Sequence, residues 1–197
     1  VNTHQQLETL FAFFCHDQNP LSVAHFERFG LQGKLKHYQK GALLMTQGNP
    51  APNVFFITQG HVRYFNVSAE GKEFTQSFAS APSIAGSTRA MTQNTPALFN
   101  IEALDDVICL EFEWRRFFNT MKIQPGFLEA YTQLLETLFI KKEEREYAFV
   151  QHSAEQRYLD FIDRNPALCN QVPLKMIASH IGITPIALSR IRRRLGV

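Results

Sequence analysis

Four arginines fall within five residues near the C-terminus, in the run Arg190-Ile191-Arg192-Arg193-Arg194. A guanidinium offers a planar fork of donors that fits a phosphate or the O6/N7 edge of guanine, so the chemistry open to this run is recognition of a polyanion. The same run also suits the last turn of a helix, where the helix dipole alone favours cations. The residues around it decide between the two. Leu188, Ile191 and Leu195 recur at helical spacing on one face and leave Ile186, Ser189, Arg190 and Arg193 on the opposite one. Upstream, Thr184 is a good cap, Pro185 suits a first helical position and Gly182 a tight turn, while Ile177 and Ile181 form the buried face of a preceding helix from Leu174. Two short helices joined in this way make a helix-turn-helix. The candidate contacts to double-stranded DNA are Lys175, Thr184, Ile186, Ser189, Arg190, Arg192, Arg193 and Arg194, with Arg190 on a base edge and Arg193 and Lys175 on phosphates.

Charge is distributed in the same sense. Residues 151–197 carry 7 Lys+Arg against 3 Asp+Glu, whereas residues 1–150 carry 13 against 15. A polyanion would therefore be attracted to the C-terminal part alone.

Other chemistries find little support. There is no GxSxG, Walker loop or HExxH, so no enzyme activity is expected. In the strand-rich region only His37 and His61 could serve as imidazole ligands, and without an HxH pair they predict neither a metal site nor a cofactor. Cys15, Cys109 and Cys169 are odd in number and scattered, which reads as buried free thiols rather than a disulfide framework or a zinc or iron–sulfur site. No apolar run reaches membrane-spanning length, and the opening VNTHQQLETLFAFFCHDQ lacks the features of a secretory signal. The expected location is the cytoplasm, with no membrane partner.

The elements that must position the arginines form an α+β chain. Amphipathic helices are expected over residues 2–15 and 22–29. From Lys34 to about Phe112 come short apolar runs, LLM, VFFIT, HVRYFNV, EFTQSF, FNIEAL and VICLEF, broken by Gly41, Gly48, Gly60, Gly71 and Gly86. That pattern predicts an antiparallel sandwich or barrel. A short helix over Trp114–Asn119 precedes Gln124-Pro125, and a long one follows to about Phe149, its apolar positions interrupted by the charged KKEERE. Ser153 and Gln156 form a capping box for a helix through Asn165, stopped by Pro166.

These pieces in this order resemble the CRP/FNR family of transcription regulators over nearly the whole chain. The resemblance rests on Lys40-Gly41, Gln47-Gly48, VFFITQGHVRYF, EGKE at 70–73, IAGS at 84–87, the long helix and IASHIGITPIALSRIRRRL. It implies an N-terminal antiparallel, jelly-roll-like β-roll over residues 1–123 that senses an effector, and a dimerisation helix over 124–150. A DNA-binding domain over 151–197 completes the implied arrangement. The implied partners are duplex DNA, a second copy of the chain, a small-molecule effector of unknown identity and, as a further candidate, RNA polymerase. The homodimer would join along the long helix through Phe127, Tyr131, Leu134 and Leu138.

The candidate effector pocket comprises Gly86, Ser87, Thr88, Arg89, Leu98, Phe99 and Lys141. Cyclic-nucleotide-binding members carry a Glu for the ribose and an Arg for the phosphate. Here Ser87 stands at the first position and Ala97 and Leu98 at the second, so cyclic AMP is not expected to bind in the family's usual way. Arg89, in the neighbouring turn, is the one candidate substitute. Two further departures concern DNA. Ile186 holds the place of the family's usual Glu, and the sequence given closes at Val197, where wing strands commonly follow, as in a short-tailed subgroup. The alternative is a regulatory module whose helix-turn-helix meets a protein, because an exposed isoleucine suits either a partner surface or a thymine methyl.

Overall fold

Val54, Phe55, Phe56 and Ile57 form an apolar run without alternation, and all four side chains are buried. A strand buried on both faces has no polar side to show, and this one sits in the middle of such a sheet. A computed structural model of the protein describes residues 33–196. The helices expected over 2–15 and 22–29, and Cys15, lie outside the described residues.

Among the described residues, eight strands build two four-stranded antiparallel sheets. One has the order β1 (Lys34–Tyr38), β8 (Val107–Glu113), β3 (Asn53–Gln59), β6 (Ser83–Ala85), and the other β2 (Leu43–Met45), β7 (Asn100–Ala103), β4 (His61–Val67), β5 (Glu73–Ser80). Between them lies a core to which β3 sends Phe55 and Ile57, β8 sends Val107 and Cys109, and the second sheet sends Met45, Val62, Ile101 and Ala103. Successive side chains of a strand point to opposite faces, so Val54, Phe56, Leu110 and Phe112 enter a second core. There they meet Trp114, Phe117 and Met121 of helix α2 (Trp114–Met121) and Phe127 of helix α3 (Phe127–Gln151). The expected runs all become strands. The two strands not singled out are β6, only three residues long, and β1, whose lysines mark it as an edge paired to β8 from Lys34↔Glu111 to Tyr38↔Val107.

Gly60 makes the turn between β3 and β4 at φ 90°, and a Cβ there would stand 2.6 Å from the backbone oxygen of Asp106. Only glycine fits both conditions. The Asp105 carboxylate closes the corner, accepting from His61 N at 2.7 Å and lying 2.6 Å from His61 Nδ1. Helix α1 (Thr88–Gln93) follows β6, and Glu113 caps α2 by accepting from the backbone N–H groups of Arg115 and Arg116. The long helix starts two residues later than Pro125, which lies with Gly126 in the preceding turn, and runs for 25 residues.

The chain divides into two compact units, one made of residues up to Asn66 with Ser77–Leu134, the other of Val67–Gln76 with Leu135 onward. In the second unit, α4 (Ala154–Arg164) begins at the expected capping box of Ser153 and Gln156 and ends at Asn165. Helices α5 (Leu174–Ile181) and α6 (Pro185–Leu195) have the expected bounds. Tyr158, Phe161, Leu168, Val172, Ile177, Ala178, Ile181, Leu188 and Ile191 are buried in this unit. Among the described residues no helix is long and apolar enough to cross a membrane, and no three His, Cys, Asp or Glu side chains gather as a metal site requires.

Candidate nucleic-acid interface

The helix-turn-helix is set by its caps. Gly182 takes the left-handed conformation at φ 76°, and its N–H donates to the carbonyls of Ala178 and Ser179. A Cβ at this glycine would meet the Phe149 ring at 2.7 Å, so the turn needs glycine for space as well as for φ. Thr184 Oγ1 accepts from Ala187 N at 3.2 Å and starts α6, with Pro185 at its first position.

Leu188 and Ile191 then anchor α6 in the core, while Ile186, Ser189, Arg190 and Arg193 are exposed along the other side. Lys175 and Thr184 are exposed too, and Arg192 is half-buried. Arg194 is held by the carboxylate of Glu155 on α4, so of the four arginines it is the one already engaged by an acid of the same unit. The ridge that remains, Ile186-Ser189-Arg190-Arg193, has the i, i+3, i+4, i+7 spacing of a single helix face.

What holds α5 in place was not visible in the sequence. Its last carbonyls lack intrahelical partners, and two arginines supply the donors: Arg145 Nη2 to His180 O at 3.1 Å and Arg157 Nε to Ile181 O at 2.9 Å. Both guanidinium groups also lie over the Phe149 ring, 4.7 and 5.0 Å from its centroid. Arg145 belongs to the stretch expected to be only a charged interruption. The missed signal is Arg145 at i−4 from Phe149, a cation one turn from an aromatic ring.

On its other side α5 meets residues 73–76 of β5, which stands at one end of the order of its sheet. Thr75 N donates to Ser179 Oγ at 2.9 Å, and that hydroxyl donates to Glu73 O at 3.3 Å. Side chains of a helix thus satisfy a strand edge that would otherwise need a further strand. His180 Nδ1 donates to Gln76 O at 3.1 Å, which leaves Nε2 to accept from Arg145 Nη1 at 3.3 Å. Burial first, and the Arg145 charge second, push the His180 ring down to about 3.

The candidate effector residues are found in the first unit, except for Lys141, which belongs to the second. Ser87 is buried, and its hydroxyl accepts from Ala90 N at 3.3 Å to cap α1. Arg89 is exposed and donates to Pro96 O at 3.1 Å. Ala97 is buried with its backbone tied to Gly48 and Asn49, Leu98 points outward, and the Phe99 ring packs 5.7 Å from Tyr64.

Residues 35–124 match the family described as cyclic nucleotide-binding domain. Among solved structures, a protein described as a transcriptional regulator of the CRP/FNR family from Eubacterium rectale superimposes with a TM-score of 0.71 at 16% identity, over 93% of this chain and 87% of that one. A CooA mutant from Carboxydothermus hydrogenoformans gives 0.69 at 20% identity, over 96% and 85%. FixK2 from Bradyrhizobium japonicum gives 0.69 at 15%, over 84% and 85%. No curated protein sequence matches the chain. The fold is that of the CRP/FNR regulators.

Within that fold the expected dimer residues separate. Phe127 is buried, stacked on Tyr131 at 6.1 Å and edge-on to Phe117 at 5.9 Å, while Tyr131 also packs on Trp114 and Phe118. The Phe127 ring completes the core beneath β3 and β8. Leu134 is half-buried and Leu138 exposed. Leu128, Leu135 and Phe139 are exposed as well, and the seven-residue step from Leu128 to Leu135 was the available signal for them.

A pH dependence follows from His180. Its ring titrates near 3 in the folded protein and near 6.5 when unfolded, so between these values only the unfolded chain takes up the proton. This group's contribution is complete above about pH 6.5 and declines steadily as pH falls toward 3. Urea midpoints from pH 7.5 to 4 should fall more steeply for the wild type than for His180→Asn; parallel curves would refute the assignment.

Proposed function

We propose that this protein is a dimeric transcription regulator of the CRP/FNR type that binds duplex DNA through α6. One observation carries the reading: the exposed ridge Ile186-Ser189-Arg190-Arg193 is presented by a helix whose opposite side, Leu188 and Ile191, is locked in a core and whose N-terminus is capped by Thr184. Base contacts must be held to within fractions of an ångström, and a ridge on an anchored helix meets that need. Arg190 would read a base edge, while Arg193, Lys175 and the half-buried Arg192 would neutralise phosphates.

Dimerisation through α3 is part of the proposal. The exposed apolar residues Leu128, Leu135, Leu138 and Phe139 support it, together with Leu134. Large apolar side chains left exposed along one helix suit an interaction site. Two copies would place their α6 helices in successive major grooves, about 34 Å apart.

The functional division belongs to the same proposal: an effector-sensing region over 1–123, a pairing helix over 124–150 and a DNA-binding region over 151–197. The effector is proposed not to be cyclic AMP bound in the usual way. Ser87 is neutral and already engaged as a cap, Ala97 and Leu98 carry no charge, and Arg89 is occupied at Pro96 O. A cyclic phosphate buried there would lack a countercharge, and an unpaired buried charge is costly.

Four outcomes are expected. On a site selected from random duplex DNA, Arg190→Ala should lose about 1 to 3 kcal/mol and relax one base position. Lys175→Ala should instead weaken specific and random duplex alike and lower the salt slope by about one. Equal losses from Arg190→Ala on both DNAs would refute its role, and binding without a steep salt dependence would point to a protein partner instead. Sedimentation should show Leu138→Glu as a monomer, and a dimer of unchanged stability would sink the α3 seam. Calorimetry with cyclic AMP should detect no micromolar binding; such binding would overturn the argument from Ser87 and Ala97.

A further inference from the structure

Ile186 is 68% exposed, far more than its neighbours Leu188 and Ile191 in the same helix. On the outward ridge of α6 it is the only apolar side chain, set one turn before Ser189 and Arg190. Exposure of a single isoleucine is ordinary in itself. Its position is what matters, because the first turn of a recognition helix enters the major groove most deeply. An isoleucine there can neither donate nor accept a hydrogen bond, so it cannot read a base edge by polar contact and gains nothing from a phosphate. The major-groove floor offers it one apolar partner, the 5-methyl group of thymine.

We infer that Ile186 is a specificity-determining residue that reads a thymine methyl in each half-site, beside the base read by Arg190. The inference rests on the DNA-binding reading and deepens it. A protein partner is disfavoured by the surroundings: Ser189, Arg190 and Arg193 share the ridge and are exposed, so the neighbours of the isoleucine along that ridge are polar or charged. Those same arginines give the ridge the charge that duplex DNA attracts.

The test uses the full chain and the duplex recovered by selection from random sequence, resynthesised with deoxyuridine in place of thymidine one position at a time. Deoxyuridine removes only the methyl group and keeps every hydrogen-bonding edge. At fixed salt, wild-type affinity should fall about fourfold at one thymine of a half-site and about fifteenfold when both half-sites are changed, the worth of a buried methyl-sized group. Ile186→Ala should show that loss on thymine DNA and be indifferent to deoxyuridine at the same position. Because the side chain lies outside the core, the variant should unfold at the wild-type temperature, and circular dichroism checks this.

The inference is overturned if the wild type prefers its selected site yet tolerates deoxyuridine at every position, or if Ile186→Ala keeps the full sensitivity. In both cases the DNA-binding reading survives. Failure of the chain to bind any duplex with a salt dependence is the separate result that removes that reading, and the inference with it.

Discussion

The exposed ridge of α6 depends on how firmly the helix before it is held, and in this protein that hold is at the C-terminal end of α5. The carbonyls of His180 and Ile181 lie where the helix dipole is negative and helical partners have run out. Arg145 and Arg157 reach them from α3 and α4, and the ring of Phe149 lies under both guanidinium groups. Bringing two half-buried cations to one ring costs desolvation and mutual repulsion. Carbonyl dipoles and the aromatic face offset that cost without adding a carboxylate. Arg145 is accordingly held below the usual arginine range by burial. The turn at Gly182 depends on the same ring, which comes too close for any side chain there. From that turn follow the direction of α6 and the ridge it exposes.

The first unit solves a different problem. Its central sheet is covered on both faces, by the second sheet on one and by α2 with the first turn of α3 on the other. Phe56, Phe112 and Phe117 meet at 5.2 to 5.5 Å, distances at which tilted and edge-on rings attract. Phe127 and Tyr131 close this cluster and thereby divide the long helix, its inward aromatics belonging to the roll and its outward leucines remaining for another surface.

The interior of the roll favours neutral groups. Burial, with Glu111 as a secondary influence, pushes the Cys109 thiol up to about 12, and burial also pushes the Tyr64 hydroxyl well above its ordinary range. A thiol so placed has almost no thiolate and is a packing group rather than a redox sensor. The buried cation of the roll, Arg63, is paired with Glu102 at 2.6 Å and lies over Phe65, so its charge is compensated within the fold.

The bounds of α5 and α6, the caps at Ser153, Thr184 and Gly182, and the exposed side of α6 were all legible in the sequence because each depends on residues within one or two turns of one another. The apolar runs marked the strands for the same local reason. Tertiary structure alone decided the rest. It brought Arg145 and Arg157 to the end of α5, drew the edge of β5 onto Ser179, and put Phe127 inside the core while leaving Leu128 outside. These outcomes depend on partners far apart in the chain, as with Thr75 and Ser179, separated by 104 positions. Helical spacing shows which residues of α3 share a face, but which of them a neighbour covers, as Phe127 is covered, is settled only when the two sheets and the helices compete for the same apolar surface.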